Sequence, residues 1–270
     1  MSGAGNDFIM VDLTGGTPAR VLDGPVIRRL CTRGLSVGAD GVIEILPDSG
    51  ASFRMRYTNS DGGVASMCGN GGRCAAVFAA SLGLAPSSEP FTFRSDAGLH
   101  RAEVTSPYSA RIWMTDPVLH FLAGEIALHD TARCLASLVD TGVPHAVLFP
   151  PDSVKGDFLR DAPSFRSHPR FGPEGANVDF AVPDGRSSLM LRTWERGVEG
   201  ETLACGTGAV AAVFCGLNLG LLDLPVEVRV RSGLILRVGS DAYGWWLEGE
   251  ARMVFAAELL SWSVGLTEGM

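Results

Sequence analysis

Two cysteines open near-copies of one phrase in this chain of 270 residues. The first phrase is Met67-Cys68-Gly69-Asn70-Gly71-Gly72-Arg73, the second is Ala204-Cys205-Gly206-Thr207-Gly208-Ala209, and the cysteines stand 137 positions apart. Each phrase runs into an Ala-rich apolar stretch, which places a thiol beside the free backbone amides of a helix start. Such amides favour both a thiolate and a bound carboxylate. The sequence therefore predicts two matched thiol sites.

Two thiols that face each other across one carbon can act as an acid and a base. Inversion of an α-carbon needs a base that removes the proton from one face and an acid that delivers a proton to the other face. Cys68 and Cys205 fill both roles when one rests as a thiolate and the other as a thiol. The backbone amides around Gly69 and Gly206 are expected to stabilise the negative charge that spreads into the substrate carboxylate.

The composition excludes several classes of protein. The chain is 46% hydrophobic and 19% charged, so it can bury one large core or two ordinary ones. Its net charge of -8 argues against a nucleic-acid or anionic-membrane partner. The sequence contains no apolar run of membrane-spanning length and no secretory signal pattern. We expect a cytoplasmic protein with a small-molecule amino-acid substrate and, as its protein assembly, a homodimer.

The cysteine and lysine positions bear on metals and cofactors. Six cysteines are too sparse for a disulfide framework in a chain of this length. Their spacings match no metal site, and Cys68 and Cys74 are six positions apart. The only lysine, Lys155, lies in a polar loop, where it is a poor Schiff-base residue for pyridoxal phosphate. Amino-acid chemistry is therefore expected to run without a metal or a cofactor.

Short β segments dominate the predicted secondary structure, separated by Gly, Pro, Asp and Ser. Two apolar helices are predicted at residues 73–82 and 209–219, ended by Gly83 and Gly220. A helix that is apolar on all sides is normally buried all round, so each should run through the middle of its own mainly antiparallel sheet. The predicted strands are 8–13, 41–46, 53–58, 91–95, 111–114, 145–149, 178–182, 189–194, 226–230 and 234–238.

An internal duplication is predicted because the similarity between the halves extends past the cysteine phrases. The stretch 111–121 loosely echoes the stretch 244–255. Two halves with matching helix starts and terminal strands indicate an α+β fold of two pseudo-symmetric domains. We place these domains at residues 1–115 and 116–251. A final strand at about 254–260, within the segment 252–270, is expected to complete the first domain.

Seven phrases, in order, resemble those of the diaminopimelate epimerase family. Each phrase alone is a weak signal, but together they span nearly the whole chain. The resemblance implies the fold of that family and its cofactor-independent interconversion of LL- and meso-diaminopimelate, in lysine and peptidoglycan precursor synthesis. The phrases are Ser2-Gly-Ala-Gly-Asn-Asp-Phe8, Gly38-Ala-Asp-Gly41, Asn59-Ser-Asp-Gly62, Met67-Cys-Gly-Asn-Gly-Gly-Arg-Cys74, Gly142-Val-Pro-His-Ala-Val147, Asn177-Val-Asp-Phe180 and Trp194-Glu-Arg-Gly197 with Ala204-Cys-Gly-Thr-Gly208.

The resemblance also implies roles for individual residues. Cys68 and Cys205 match the acid and base, and His145 and Glu195 match the residues that assist the thiols and hold the substrate ammonium group. Arg196 matches the side chain that pairs with the distal carboxylate. Arg73 receives no role. The full set of implied substrate-binding residues is Asn6, Asn59, Gly69, Asn70, Asn177, Glu195, Arg196, Gly206 and Thr207.

The chain departs from the family pattern at three places. Val143 stands where the family commonly has Asn, so one polar ligand to the far end of the substrate is missing. The chain opens directly at the Ser2 phrase, whereas the family usually has a short strand before it. Either the first sheet lacks an edge strand or the true start of the protein lies upstream. Glu199 adds acidic charge that the sequence does not explain.

Two alternative functions follow from these residues. The first is a racemase of another amino acid on the same fold, such as proline, hydroxyproline or histidine. Val143 favours a substrate other than diaminopimelate, whereas Asn70 argues against the proline branch, which typically has His there. The second is a redox-responsive or binding protein in which Cys68 and Cys205 form a disulfide.

Overall fold

The computed structural model describes residues 1–15, 22–128, 132–149 and 158–259. The chain divides into two compact units, Met1–Ile112 with Gly249–Met270, and Trp113–Glu248. Both units combine helices with sheets, which confirms the predicted α+β class. Lys155 lies outside the described residues.

The first unit contains helices α1 (Gly24–Cys31) and α2 (Gly69–Ser81). Its strands are β1 Ser2–Gly3, β2 Asn6–Asp12, β3 Gly41–Leu46, β4 Arg54–Asn59, β5 Val64–Ala65, β6 Phe91–Ser95, β7 Gly98–Ser106 and β8 Ser109–Trp113. Strands β2 and β3 pair in parallel, as do β4 and β6. The pairings β1–β2, β3–β4, β4–β5, β6–β7 and β7–β8 are antiparallel.

The second unit contains helices α3 (Phe158–Arg166) and α4 (Gly206–Asn218) and a 3-10 turn at Pro169–Phe171. Its strands are β9 Val118–Leu128, β10 Ala132–Asp140, β11 Pro144–Leu148, β12 Asn177–Pro183, β13 Ser188–Glu195, β14 Gly200–Glu201, β15 Val226–Arg229, β16 Ile235–Asp241 and β17 Gly244–Glu250. Strands β11 and β12 pair in parallel, as do β13 and β15. The pairings β9–β10, β10–β11, β12–β13, β13–β14, β15–β16 and β16–β17 are antiparallel.

The two units repeat one order of elements. From β2 to β8 the successive pairings run parallel, antiparallel, antiparallel, parallel, antiparallel, antiparallel, and the same series recurs from β11 to β17. Helices α1 and α3 follow the first strand of each series, and α2 and α4 follow its fourth strand. This repeated topology confirms the predicted pseudo-symmetry.

Helices α2 and α4 are the central helices of their units. Residues 70–77 in α2 and 208–213 in α4 are buried without interruption. Both runs exceed the 3.6 residues of one helical turn, so each helix is buried on every side. Helix α2 contacts β1, β2, β3, β4 and β7, and α4 contacts β10, β11, β12, β13 and β16. The prediction that each apolar helix runs through its own sheet is therefore confirmed.

The predicted starts of these two helices, at residues 73 and 209, are wrong. Helix α2 begins at Gly69 and α4 at Gly206. The glycines belong to the helices because they permit close packing. A Cβ atom on Gly208, for example, would lie 2.4 Å from Oδ1 of Asp179 on a neighbouring strand.

The predicted final strand at about 254–260 is also wrong for the described residues, because 253–259 form no strand. Arg252 pairs with Ser2 through two backbone hydrogen bonds of 2.8 Å. This bridge is isolated and does not extend into a strand. Val254 and Phe255 are exposed as a result. Residues 260–270 lie outside the described residues.

Candidate active site

Cys68 occupies the N-cap of α2 in the first unit. Its backbone is extended, with φ -141° and ψ 120°, and its Sγ accepts a hydrogen bond of 3.4 Å from the backbone N–H of Gly71. The helix packs closely at Gly71, where a Cβ atom would lie 2.9 Å from Cδ1 of Ile43 in β3 and would force that side chain to shift. The thiol is half-buried, so a small molecule can reach it beside the N-terminal amides of Gly69 and its neighbours.

Asn70 and Asn6 form a directed hydrogen-bond chain beside this cysteine. The guanidinium Nη2 of Arg73 donates to Oδ1 of Asn70 at 2.8 Å, and Nδ2 of Asn70 donates to Oδ1 of Asn6 at 2.5 Å. Nδ2 of Asn6 then donates to Asp40 at 2.9 Å. Arginine has no acceptor and a carboxylate has no donor, so both amides are fixed in one orientation.

Asn59, also predicted for the site, ends β4 in the same unit. Its backbone N–H donates to the carbonyl of Gly63 at 2.9 Å, which closes the turn that leads into β5. The residue is half-buried. The Arg73–Asn70–Asn6–Asp40 chain does not include Asn59.

Cys205 occupies the N-cap of α4 in the second unit, at the position that matches Cys68. Its backbone is likewise extended, with φ -124° and ψ 114°, and its Sγ lies 3.3 Å from Oγ1 of Thr207. Burial raises the pKa of this thiol well above its ordinary value, and the nearby Glu195 and Asp179 raise it further. Cys205 is therefore held as a thiol. Thr207 is anchored in turn, because its carbonyl accepts a hydrogen bond of 3.2 Å from Oγ1 of Thr141.

Glu195 ends β13 and interacts with the Cys205 thiol. Burial raises the pKa of the Glu195 carboxyl, against the opposing effect of hydrogen bonds from Thr202 and Cys205. Thr202 Oγ1 donates to Oε1 of Glu195 at 2.7 Å. A buried carboxyl beside a thiol can hold or release a proton next to the sulfur. Within the second unit, Glu195 is therefore a carboxyl group that interacts with Cys205.

His145, near the start of β11, is fully buried against a carboxylate. Its Nδ1 lies 2.5 Å from Oδ2 of Asp179, and neither side chain is exposed to solvent. The other carboxylate oxygen accepts a hydrogen bond of 2.7 Å from Oγ1 of Thr193. Asp179 and Thr193 are directly opposed in the pairing of β12 with β13. The strand pairing therefore holds the Asp179 carboxylate in place, and the carboxylate in turn holds the His145 imidazole.

The partners of Asn177 determine which nitrogen of His145 carries the proton. Oδ1 of Asn177 accepts from the backbone N–H of Arg196 at 2.8 Å, so its Nδ2 faces Nε2 of His145 at 3.4 Å. An amide nitrogen can only donate. Nε2 is thus the acceptor, and Nδ1–H donates to Asp179. In this tautomer the Nε2 lone pair is the acceptor of the imidazole.

Arg196 and Glu199 lie in the turn after β13. Arg196 Nη1 lies 3.3 Å from a carboxylate oxygen of Glu174, a side chain that is 84% exposed. Such a surface pair is weak, so the guanidinium can exchange Glu174 for a substrate carboxylate. Glu199 accepts hydrogen bonds from the Gly197 amide at 3.1 Å and from Arg166 Nε at 2.8 Å. Its charge holds the turn and is not directed at the thiol.

Two residues of the site were missed by sequence reasoning. Asp179 lies within the quoted phrase Asn177-Val-Asp-Phe180, and strand alternation places Asn177 and Asp179 on the same face. That alternation predicts that the side chains of Asn177 and Asp179 contact the same neighbour. Arg73 lies within the first cysteine phrase, and no feature of the sequence distinguishes it from a solvated helix-start charge.

The family model and the curated relatives point to the same family. The family model described as Diaminopimelate epimerase matches residues 1–120 and 137–254. The chain belongs to the diaminopimelate epimerase family. The chain is 41% identical over 258 residues to a protein named diaminopimelate epimerase from Chlorobaculum tepidum, which covers 94% of this chain and 98% of the relative. It is 35% identical over 271 residues to one from Hydrogenobaculum sp., with 95% and 96% covered.

Solved structures add support for the fold. A hydroxyproline epimerase from Agrobacterium vitis superposes with a TM-score of 0.60 at 17% identity, over 83% of this chain and 77% of that one. Membership of the diaminopimelate epimerase family confirms the predicted resemblance and makes the chain an epimerase, an isomerase. Helices long and apolar enough to cross a bilayer are absent from the described residues.

Proposed function

We propose that this enzyme epimerises diaminopimelate between the LL and meso forms with Cys68 and Cys205 as the two acid/base residues. The reaction would serve the synthesis of lysine and peptidoglycan precursors. One observation carries the proposal: in a duplicated fold, each unit presents a cysteine at the N-cap of its buried central helix. The names of the curated relatives support the choice of substrate.

The chemistry is balanced by exchange of one proton on each side of the α-carbon. One cysteine thiolate takes the α-proton, so an S–H bond forms and the C–H electron pair moves into the α-carboxylate. The other cysteine gives its thiol proton to the opposite face and becomes the thiolate. The helix-start amides after Cys68 and Cys205 stabilise the carboxylate charge while it grows.

The surrounding residues support this transfer. Glu195 stands beside the Cys205 thiol and His145 presents an acceptor nitrogen, so both can relay protons. Both groups are also proposed to hold the substrate ammonium. Arg196 is proposed to hold the distal carboxylate as a charge-assisted pair. Asn6, Asn59, Asn70, Asn177, Gly69, Gly206 and Thr207 are proposed as the remaining ligands.

The test is solvent hydrogen exchange. Fully reduced enzyme is incubated with LL-diaminopimelate in D2O, and α-deuterium and meso product are measured by NMR and chiral chromatography. We expect both signals, and their joint absence would reject the proposal. Cys68→Ala and Cys205→Ala should each abolish inversion. Either variant can still eliminate a β-leaving group from a substrate analogue, because elimination needs only one base.

Val143 supports a second candidate, the racemisation of another amino acid. Val143 is half-buried in the turn before β11, and its carbonyl accepts a backbone hydrogen bond of 3.2 Å from Thr141. Its isopropyl group cannot replace the amide that the family commonly has there. A panel of LL-diaminopimelate, proline, hydroxyproline and histidine, read by chiral chromatography, distinguishes the candidates. Turnover of a panel member other than diaminopimelate would reassign the substrate while retaining the two-thiol chemistry.

A binding or redox-sensing role predicts a different outcome. Neither Cys68 nor Cys205 forms a disulfide in the part of the chain that the structure describes. If the pair served only as a redox switch, reduced enzyme would bind diaminopimelate without exchanging its α-proton. Restoration of turnover by a reductant after oxidation in air would instead support catalysis.

A further inference from the structure

Thr202 is a hydroxyl residue in direct contact with the Glu195 carboxyl. Its Oγ1 donates a hydrogen bond of 2.7 Å to Oε1 of Glu195, and its backbone N–H donates to the carbonyl of Thr193 at 3.1 Å. Both Thr202 and Glu195 are half-buried. A carboxylate can only accept hydrogen bonds, so the hydroxyl proton is directed at Oε1 when Glu195 is ionised. One of the two carboxylate oxygens is thereby held in place.

The residue before Thr202 is fixed by two arginines. The Glu201 carboxylate accepts hydrogen bonds from Arg192 Nε at 2.6 Å and Nη2 at 2.9 Å, and a third from Arg231 Nη1. The Glu201 side chain is only 2% exposed. Paired arginine–carboxylate bonds of this kind have a defined geometry. Adjacent residues of an extended chain point to opposite faces, so Glu201 holds the backbone while Thr202 faces Glu195.

The same short segment leads into the second cysteine phrase. The carbonyl of Leu203 accepts a hydrogen bond of 3.0 Å from the backbone N–H of Ser232. Two residues later Cys205 forms the N-cap of α4. Glu195 interacts with both the Thr202 hydroxyl and the Cys205 thiol. Three positions of chain therefore connect the donor that holds the carboxyl to the sulfur beside it.

The duplicated fold provides an internal comparison for this hydroxyl. The third residue before Cys205 is Thr202, and the third residue before Cys68 is Ala65. Ala65 ends β5, the two-residue strand of the first unit that corresponds to β14. Alanine has no side-chain donor, so the repeated topology does not need a hydroxyl at this position. The hydroxyl occurs in the unit that contains Glu195.

We propose that Thr202 is a positioning residue that directs the Glu195 carboxylate towards the Cys205 thiol. Its hydroxyl occupies Oε1, so Oε2 is the oxygen left for the thiol and the substrate ammonium. Thr202 acts through Glu195 and does not touch the reacting carbon. This inference rests on the proposed function, because it assigns Glu195 a part in the two-thiol reaction.

The first test measures the ionisation of Glu195 without substrate. Burial raises the pKa of Glu195, hydrogen bonds from Thr202 and Cys205 lower it, His145 on β11 lowers it, and Asp179 on β12 raises it. Loss of a hydrogen bond to the charged form disfavours ionisation. We therefore expect the pKa of Glu195 to rise by about half a pH unit or more in Thr202→Val, the effect of one hydrogen bond.

The ionisation is read by 13C NMR of the full chain labelled at the glutamate carboxyl carbon. The Glu195 signal is assigned by its absence from Glu195→Gln. Thr202→Ser keeps the donor and should keep the pKa within about 0.2 pH unit of the unaltered enzyme. Thr32→Val is the matched control, because it removes a hydroxyl hydrogen bond that is also 2.7 Å long but is accepted by the Arg28 carbonyl in the first unit. It should leave the Glu195 signal unchanged.

The second test is the rate of α-deuterium incorporation from D2O. Thr202→Val should lower kcat roughly fivefold and move the acid limb of kcat/KM to higher pH. Thr202→Ser should restore both to within about twofold. Addition of Thr202→Val to Glu195→Gln should cost little more than Glu195→Gln alone, since the hydroxyl acts through the carboxylate. Circular dichroism checks that each variant folds.

An unchanged pKa of Glu195 in folded Thr202→Val would overturn the proposal. If that variant does not fold, Thr202→Ala and Thr202→Ser make the same comparison, because only serine keeps the donor. Equal pKa values of Glu195 in those two variants would overturn it as well. The titration needs no substrate, so it still tests the role of Thr202 if the exchange experiment rejects the two-thiol function.

Discussion

Replacement of Asp179 by Asn tests whether His145 carries a proton during turnover. The variant keeps the shape of the side chain and removes its negative charge. In the structure Asp179 and His145 are both fully buried and lie 2.5 Å apart. When His145 takes a proton at Nε2, it becomes an imidazolium that the carboxylate stabilises. The asparagine amide cannot provide that stabilisation.

The size of the effect follows from Coulomb's law. Two unit charges whose centres are roughly 4 Å apart interact by about 4 kcal/mol at an effective dielectric constant of about 20. If half to all of the charge on His145 develops in the transition state, Asp179→Asn loses about 2 to 4 kcal/mol, or roughly 30- to 1000-fold in kcat. If His145 only donates a neutral hydrogen bond, the loss is about 1 kcal/mol, or roughly fivefold.

The assay is the rate of α-deuterium incorporation at saturating LL-diaminopimelate, followed by NMR. Thr193→Val is the control, because it removes only the neutral donor to the other carboxylate oxygen of Asp179, and should cost about fivefold. The double variant His145→Gln with Asp179→Asn should be little slower than His145→Gln alone, since Asp179 acts through His145. A folded Asp179→Asn enzyme slowed less than fivefold would refute the reasoning.

Two further predictions concern the second unit. Burial raises the pKa of Glu195, so the folded state binds more protons than the unfolded state just above the ordinary value of 4.5, and stability falls as pH rises there. Glu195→Gln should reduce this loss in plots of Tm against pH while lowering kcat by about 10²- to 10⁴-fold, and an unaltered Tm profile would contradict it. Gly208→Ala, whose Cβ would meet Asp179 Oδ1 at 2.4 Å, should lower the free energy of urea unfolding by about 1 to 3 kcal/mol. The control is Gly15→Ala, whose Cβ would have no neighbour within 4 Å, and it should change the free energy of unfolding by less than about 0.5 kcal/mol. Equal losses for the two variants would show that the contact between position 208 and Asp179 does not cause the effect.

The hydrophobic periodicity of the sequence and its turn residues predicted most of the elements that position the site residues. Strands β3 and β6 match the predicted bounds, and the ends of α2 and α4 fall one residue before the predicted ones. The two helices combine a clear apolar pattern with a glycine just after the last turn, and Gly83 and Gly220 have φ values of 75° and 70°. Local physics determines their boundaries, because L-residues other than glycine rarely adopt that conformation.

Tertiary contacts determined what the sequence did not predict. Strand β9 and strand β10 were not among the predicted strands, and β9 pairs with β10 across irregular register shifts. The glycines of the cysteine phrases resemble a turn until their packing partners are known. The same limit applies to Asp179, whose role depends on Thr193 lying directly opposite in the sheet. The alternation of residues in a sequence shows which side chains share a face of a strand, but not which strand lies beside it.

The duplicated scaffold and the unlike side chains of the two sites answer different demands of the reaction. In the proposed two-thiol reaction, both central helices offer amides to the substrate carboxylate, which accounts for the Cys-Gly-x-Gly backbone shared by Cys68 and Cys205. The same proposal requires one thiol and one thiolate, because two thiolates cannot donate a proton and two thiols cannot accept one. The repeat therefore keeps its glycines and changes its charges: Arg73 in one unit corresponds to Val210 in the other. The backbone that the proposed reaction needs is thus kept in both units, while the side chains around each cysteine are free to differ.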